Sequence, residues 1–234
     1  MTELTARPDL GRRYTDHRRV RLSDAGSDGV LRLDGVGRYL QDAASDDWAD
    51  SGLDPAKAWV VRRTSLRVAE GGRWPALGEE LGVTTWCSGT GPAWAERRTD
   101  LELGGVTVIE AVALWVPLDA SGRPSRLGEE FHDVYGQAAA GRRVSGRVTA
   151  APTPRAPRTR AWLVRRSDLD VAGHVNNAAI WAAVAEVVGR PVASAALTHY
   201  GPIEEGDDVT LLTEPGQMWL LRDGKAAAFA EFVA

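Results

Sequence analysis

The chain repeats itself, and the repeat limits the folds open to it. Shifted by 144 positions (168 minus 24), Asp24 falls on Asp168, Gly29 on Gly173 and Asp42 on Glu186. In both copies an acidic residue follows the turn glycine by thirteen positions (42 minus 29, 186 minus 173). Farther along the register slips, as loops of unequal length require. Gly78-Glu79-Glu80 then resembles Gly206-Asp207-Asp208, and Gly105-Val106 resembles Gly224-Lys225, each leading into a strand-like run. Matches kept in one order predict two copies of a strand–helix–sheet unit. A length of 234 residues accommodates two such units.

Hydrophobic periodicity fills in each copy. Tyr14 to Leu22 reads as a strand, and Ser23 to Gly29 as a turn cluster. Val30 to Ser51 places Val30, Leu33, Val36, Tyr39, Leu40, Ala43, Ala44 and Trp48 close to an i, i+3, i+4, i+7 pattern, a helix that stops near Gly52 and Pro55. Four strands follow: Trp59 to Val68, Leu81 to Ser88, Ala93 to Leu103 and Val106 to Pro117. Ala138 to Arg160 reads as a Pro- and Arg-rich crossing. The pattern then restarts, with Ala161 to Arg165 strand-like, a helix ended by Gly189 and Pro191, and four short strands at Ala195 to Tyr200, Val209 to Thr213, Met218 to Leu221 and Ala226 to Val233. The domain organisation expected is a first unit over residues 1–140, a linker over 141–160 and a second unit over 161–234. A helix followed by an antiparallel meander is an α+β arrangement, the helix packing on one face of the sheet.

Composition excludes several function classes. A net charge of −4 gives no electrostatic footprint for nucleic acid or a membrane surface. A single cysteine, Cys87, permits no internal disulfide and no cysteine-based zinc site. It sits in an apolar, β-rich stretch, which reads as an inert buried thiol. The histidines at 17, 132, 174 and 199 are too scattered for a metal centre. No Gly-x-Ser-x-Gly elbow, phosphate-binding loop or dinucleotide fingerprint is present. The first twenty residues hold no apolar signal-peptide core, and no run approaches the roughly 18 apolar residues of a membrane span, so a cytoplasmic location is expected.

The chemistry concentrates in Arg165 to Pro191, RRSDLDVAGHVNNAAIWAAVAEVVGRP. Asp168, Asp170, His174, Asn176 and Asn177 fall within ten residues, at the approach to a nearly uncharged helix. Gly173 allows a positive φ in the turn. A helix beginning around His174 would present unpaired N–H groups and the positive end of its dipole, which polarise a carbonyl and hold an oxyanion. A carboxylate beside it can activate water or attack directly. Thioester cleavage needs these parts and no metal or cofactor, because a thiolate leaves readily. The same residues also have structural readings. Asp170 can be a turn or cap residue, His174 can pack, and Asn176 and Asn177 can hydrogen-bond first-turn backbone. Glu186, on an otherwise apolar helix, is expected to be buried and tied to a neighbouring strand or to the His174 loop. The first copy has none of this chemistry: Asp170 falls on Gly26, His174 on Val30, Asn176 on Arg32 and Asn177 on Leu33.

The stretch RRSDLDVAGHVNNAAIWAAVAE resembles the signature of the acyl-acyl carrier protein thioesterases, Arg-Arg-x-Asp-x-Asp-x-Asn-x-His-Val-Asn-Asn followed by a Trp and Glu. AWVVRRTSLRV, TTWCSGTGPAWAERR and VIEAVALWVPLD resemble the family's first-half strands, so the resemblance covers roughly residues 14–234. It implies two tandem hotdog units, each an antiparallel sheet wrapped around a long helix. It implies cofactor-free hydrolysis of acyl-carrier-protein thioesters, with the acyl chain in the first unit and catalysis in the second. Asp170 and His174 match the family's catalytic Asp and His. The family's catalytic Asn falls on Ala172, which cannot do that work. Glu204 is the nearest match to the family's downstream Glu, one residue out of register. Asp-x-Asp-x-Ala-Gly is also similar to the turn of single-hotdog acyl-CoA thioesterases, where one Asp, matching Asp170, is base or nucleophile.

The expectation is therefore an acyl thioesterase acting on an acyl carrier protein or CoA thioester, as a monomer of tandem hotdogs or a homodimer. Asp170, His174 and Glu204 form its catalytic set, and Gly173, Val175, Asn176 and Asn177 its oxyanion and positioning set. Trp48, Trp59, Trp86 and Trp94 are candidates to line or block the acyl pocket. Two alternatives stand beside it: an inactive acyl-binding sensor, suggested by Ala172, and a hotdog dehydratase, whose differently worded turn is absent here.

Overall fold

The computed structural model describes residues 4–154 and 157–234. Strand β1 (Tyr14–Arg19) leads through a turn into α1 (Leu33–Asp50), followed by β2 (Trp59–Val68), β3 (Glu80–Gly91), β4 (Trp94–Leu103), β5 (Val106–Pro117) and α2 (Glu129–Ala139). After the crossing come β6 (Arg158–Ala161), α3 (Asn177–Val188), β7 (Ser194–His199), β8 (Val209–Glu214), β9 (Gln217–Arg222) and β10 (Lys225–Val233). All ten strands form one sheet in the order β1-β3-β4-β5-β2-β7-β10-β9-β8-β6. Read outward from the β2–β7 seam, each half follows the same sequence of strands. The seam is antiparallel, from Arg63 opposite Thr198 to Arg67 opposite Ser194. The architecture is α+β, two tandem hotdog units sharing one sheet.

The internal repeat is visible bond by bond. Gly26 N–H donates to Val30 O at 2.8 Å, and Asp170 N–H to His174 O at 2.8 Å. Arg32 N–H reaches Asp24 O at 2.9 Å, and Asn176 N–H reaches Asp168 O at 2.7 Å. Gly29 and Gly173 both take a positive φ, +76° and +78°, which a side chain would strain. The second register holds as well: Leu31 N–H donates to Pro75 O, and Val175 N–H to Ile203 O.

The helices α1 and α3 pack together under the sheet, and their apolar faces merge with strands from both halves into one core. Contact is close because α1 carries Gly37 where Trp181 of α3 lies; a Cβ added there would sit 2.7 Å from Trp181 Cδ1. A smaller core lies at the other end of α1, where Phe131, Tyr135 and Ala139 of α2 meet Cys87 and Ala95, with Trp48 and Trp59 against them.

Three expectations need correcting. Helix α2 was not anticipated, although Phe131, Val134, Tyr135, Ala138 and Ala139 carry helical spacing. The first strand of the second half is Arg158–Ala161, not Ala161 to Arg165; it is an exposed edge strand without an alternating pattern. Glu186 is exposed and has no partner among the described residues, because the buried stripe of α3 runs through Ala178, Trp181 and Val184.

Candidate active site

The turn before α3 is built from its own backbone. Asp168 Oδ2 accepts from Arg165 N–H at 2.9 Å, and a bridge between Leu169 and Val175 closes the loop. Within it, the Asp170 carboxylate is fixed by two amides: Oδ1 accepts from Ala172 N–H at 2.9 Å and from His174 N–H at 3.3 Å. Asp170 is exposed, and Oδ2 has no recorded partner among the described residues.

The helix begins at Asn177, three residues later than the sequence suggests. Asn176 is its N-cap, with Oδ1 accepting from Ala178 N–H at 2.8 Å. The amides proposed as oxyanion donors are already committed: Gly173 N–H to Asp170 O at 3.0 Å and Val175 N–H to Ile203 O at 2.7 Å. Among the described residues the Asn177 N–H has no acceptor. It sits at the positive end of α3, a helix without an acidic residue in its first turn.

His174 holds Asp170 through its backbone. Its imidazole points elsewhere, with Nε2 3.8 Å from Glu204 Oε1, an ion pair only when His174 is protonated. The His174 and Glu204 backbones pair across a bridge, while the neighbouring Ile203 is buried. Glu204 is thus the acidic side chain beside His174.

Asp170 and Asn177 border a cavity of about 410 Å³ whose other walls come from the first half. One face of α1 supplies Gln41, Ala44, Ser45 and Trp48; the sheet supplies Trp59, Cys87, Ala95, Arg97 and Trp115, and α2 supplies Phe131. The cavity is polarised along its length. Gln41, Trp115 and Asn177 recur in a small recess beside Gly37 and Trp181, which locates the Asp170 end. Trp48, Lys57, Trp59 and Phe131 recur in a further cavity of about 210 Å³ at the opposite end. There the rings meet edge-on or tilted, Trp48 to Trp59 at 5.3 Å and Phe131 to Tyr135 at 4.9 Å between centroids. Of the tryptophans singled out from sequence, Trp48 and Trp59 line the cavity. Trp86 is fully buried and Trp94 lies outside the lining.

Beneath the cavity Asp47, 1% exposed, accepts from Arg12 Nε at 2.7 Å, Arg97 Nη1 at 2.6 Å and Tyr135 OH at 3.0 Å. Burial pulls the Arg97 guanidinium down, but Asp47 holds it above its ordinary value. Burial pushes the Cys87 thiol up to about 11, so it faces the cavity as a thiol rather than a nucleophilic thiolate. Among the described residues no cluster of His, Cys, Asp and Glu could hold a metal. The sequence did not point to Gln41, Arg97 or Trp115 as cavity residues. Gln41 alone left a trace, a neutral polar residue on the apolar side of α1.

Comparison with known proteins adds a family to this geometry. A model described as the acyl-ACP thioesterase N-terminal domain matches residues 11–135, and one described as the acyl-ACP thioesterase C-terminal domain matches residues 153–223. Uncharacterized proteins from two strains of Mycobacterium tuberculosis are each 28% identical over 225 residues, covering 90% of this chain and 86% of theirs. Among solved structures, the 12:0-ACP thioesterase from Umbellularia californica superposes with a TM-score of 0.76 at 20% identity, covering 94% of this chain and 96% of that one. An acyl-ACP thioesterase from Bacteroides thetaiotaomicron gives 0.78 at 16% identity, covering 94% and 97%. At such identities the structural likeness speaks for the fold alone.

Proposed function

The chain belongs to the acyl-ACP thioesterase family and is a thioester hydrolase, and from that premise we propose that it releases free fatty acid from acyl carrier protein, with Asp170 as the reacting carboxylate. One observation carries this reading: Asp170 and Asn177 of the second half stand at one end of a cavity that the first half walls, with aromatic and small apolar side chains beside a few polar ones. In this assignment the first unit holds the acyl chain, the second does the chemistry, and residues 141–160 join them.

The acyl chain enters from the Asp170 end, its tail toward Trp48 and Phe131. The thioester carbonyl oxygen faces the Asn177 N–H at the start of α3. Asp170 Oδ2 takes a proton from a water, and the oxygen of that water bonds to the carbonyl carbon. The resulting oxyanion is held by the Asn177 amide and the helix dipole. When it collapses the carbon–sulfur bond breaks, the electron pair leaves with the thiolate, and the proton on Asp170 returns to sulfur. Asp170 can serve because Oδ1 is pinned by Ala172 and His174 amides while Oδ2 is uncommitted. His174, beside Glu204, supports the loop and is available for proton exchange at its rim.

An acidic carrier protein suits the approach to this turn, where Arg158, Arg160, Arg165 and Arg166 are all exposed. The proposal carries a cytoplasmic location with it. No helix of the described residues is long and apolar enough to cross a membrane.

The test is thiol release from acyl-carrier-protein and acyl-CoA substrates over a range of chain lengths. Asp170→Asn keeps an Oδ1 acceptor for the two amides but removes the base. It should lower kcat by roughly 100-fold or more while leaving the melting temperature in place. Full activity in that variant would remove Asp170 from the mechanism. A second reading, acyl binding without turnover, is favoured by Ala172 standing where the family signature has Asn. Acyl ligands that bind while no chain length is cleaved would establish it.

A further inference from the structure

The cavity is not lined as a plain hydrocarbon sleeve. At its Asp170 end it adjoins a recess of about 20 Å³ walled by Thr64, Thr99, Gln41, Arg97, Trp115 and Asn177, the last four common to both. A space of roughly 10–15 Å³ already admits one water-sized group. Gln41 Oε1 and Trp115 Nε1 are buried without a hydrogen-bond partner, as is Trp59 Nε1 farther along. Three of the eight such atoms in the described residues therefore belong to residues that line one cavity. Arg97 adds to it. Its recorded hydrogen bonds, to Asp47 Oδ2 at 2.6 Å and Thr85 Oγ1 at 3.3 Å, both leave from Nη1. Its charge is balanced by Asp47, and among the described residues no hydrogen bond leaves its Nε or Nη2. Buried polar groups are normally paired, and a saturated chain beside these would leave them unpaired.

We propose that this site prefers acyl thioesters oxygenated close to the carbonyl, 3-hydroxyacyl and 3-oxoacyl groups, over the saturated chain of equal length. The inference rests on the hydrolase reading given above and names its substrate class. The substituent oxygen occupies the recess, accepting from Arg97 and Trp115. A hydroxyl also donates to Gln41 Oε1. Its position follows from shared walls. Gln41, Arg97 and Trp115 meet Asn177, where the carbonyl is held, so the second oxygen lies within a few bonds of the first. The Trp48, Trp59 and Phe131 end is left to the hydrocarbon tail.

The experiment compares kcat/KM of the full chain for octanoyl, 3-hydroxyoctanoyl and 3-oxooctanoyl thioesters on one carrier. The oxygenated substrates should be favoured roughly tenfold or more, as expected where a site hydrogen-bonds a substrate oxygen. Gln41→Leu and Trp115→Phe should each bring that ratio toward one. The ratio is the readout because a variant that merely folds less well lowers both rates together. Equal or better cleavage of octanoyl thioester by the wild type, or a ratio unmoved by both variants, overturns the proposal and leaves the hydrolase reading intact. Absence of thiol release from these substrates and from every other chain length overturns the hydrolase reading, and the proposal with it.

Discussion

Asn176 and Asn177 are adjacent, share a side chain and do different work. Asn176 Oδ1 caps α3 by accepting from Ala178 N–H, whereas Asn177 is turned to the cavity beside Asp170. Substitution should separate the two. Asn176→Ala removes a cap and should cost about 1 kcal/mol in denaturant unfolding, while Asn176→Asp keeps an acceptor and recovers most of it. Asn177→Ala should leave the unfolding midpoint nearly unchanged and lower the rate of thiol release. If Asn176→Ala slows hydrolysis without moving the midpoint, the capping assignment is wrong. Ala172 is informative in the same way. Its methyl cannot replace the family's Asn, yet its backbone N–H holds Asp170 Oδ1. The position therefore still orients the carboxylate, by a group that no side-chain motif records.

At the scale of elements, α2 and the floor of the cavity depend on one buried carboxylate. Asp47 of α1 ties down Arg12, Arg97 of β4 and Tyr135 of α2 together. Asp47→Ala would strand the Arg97 guanidinium without its counter-charge and release the Tyr135 hydroxyl. Breaking a buried pair from one side costs about 3–5 kcal/mol, which urea unfolding should read as a large drop in midpoint. A shift under about 1 kcal/mol would show the network to be solvent-relaxed rather than structural. None of this was legible in the sequence, where Asp47 is one of two adjacent aspartates ahead of Trp48. Strands β2 and β5 were legible to the residue, because long apolar, β-branched runs ended by turn residues admit little else. Edge strand β6 was not, since every residue in it is exposed and no alternation marks it. The exposure of Glu186 is not legible in the sequence, because an otherwise apolar helix reads as buried all round. Glu186 lies two positions, about 200° around the helix, beyond the buried Val184. The turn from Asp168 to Asn177 was readable because its bonds are local. The cavity was not, because it draws on α1, four strands, α2 and the opposite half of the chain.

At the scale of the molecule, the two halves meet at the β2–β7 seam, and a buried histidine lies at its end. His199 ends β7, which is paired on one side with β2 and on the other with β10. The residue is buried, and among the described residues its Nε2 has no partner. Burial, with Arg62 second, pulls its pKa down to about 4 from an ordinary value of 6.5. The folded chain thus refuses a proton that the unfolded chain accepts, so the stability tied to this group is complete above about pH 6.5. It is lost as pH falls through that value toward 4, amounting to roughly 3 kcal/mol over the whole window. The paired carboxylates titrate lower. Asp24, Asp34 and Glu110 are held below their ordinary values and Glu79 falls to about 2, so their contributions disappear in more acid solution. Between pH 6.5 and 4.5 the two effects separate. Unfolding free energies measured across that interval should fall in the wild type and stay nearly level in His199→Gln, which cannot take up the proton. Because the first-half walls of the cavity and Asp170 come from opposite sides of the seam, hydrolysis should fall over the same interval in which the seam weakens. A wild-type stability that stays flat down to pH 4.5 would mean that His199 is solvated and that the seam holds independently of it.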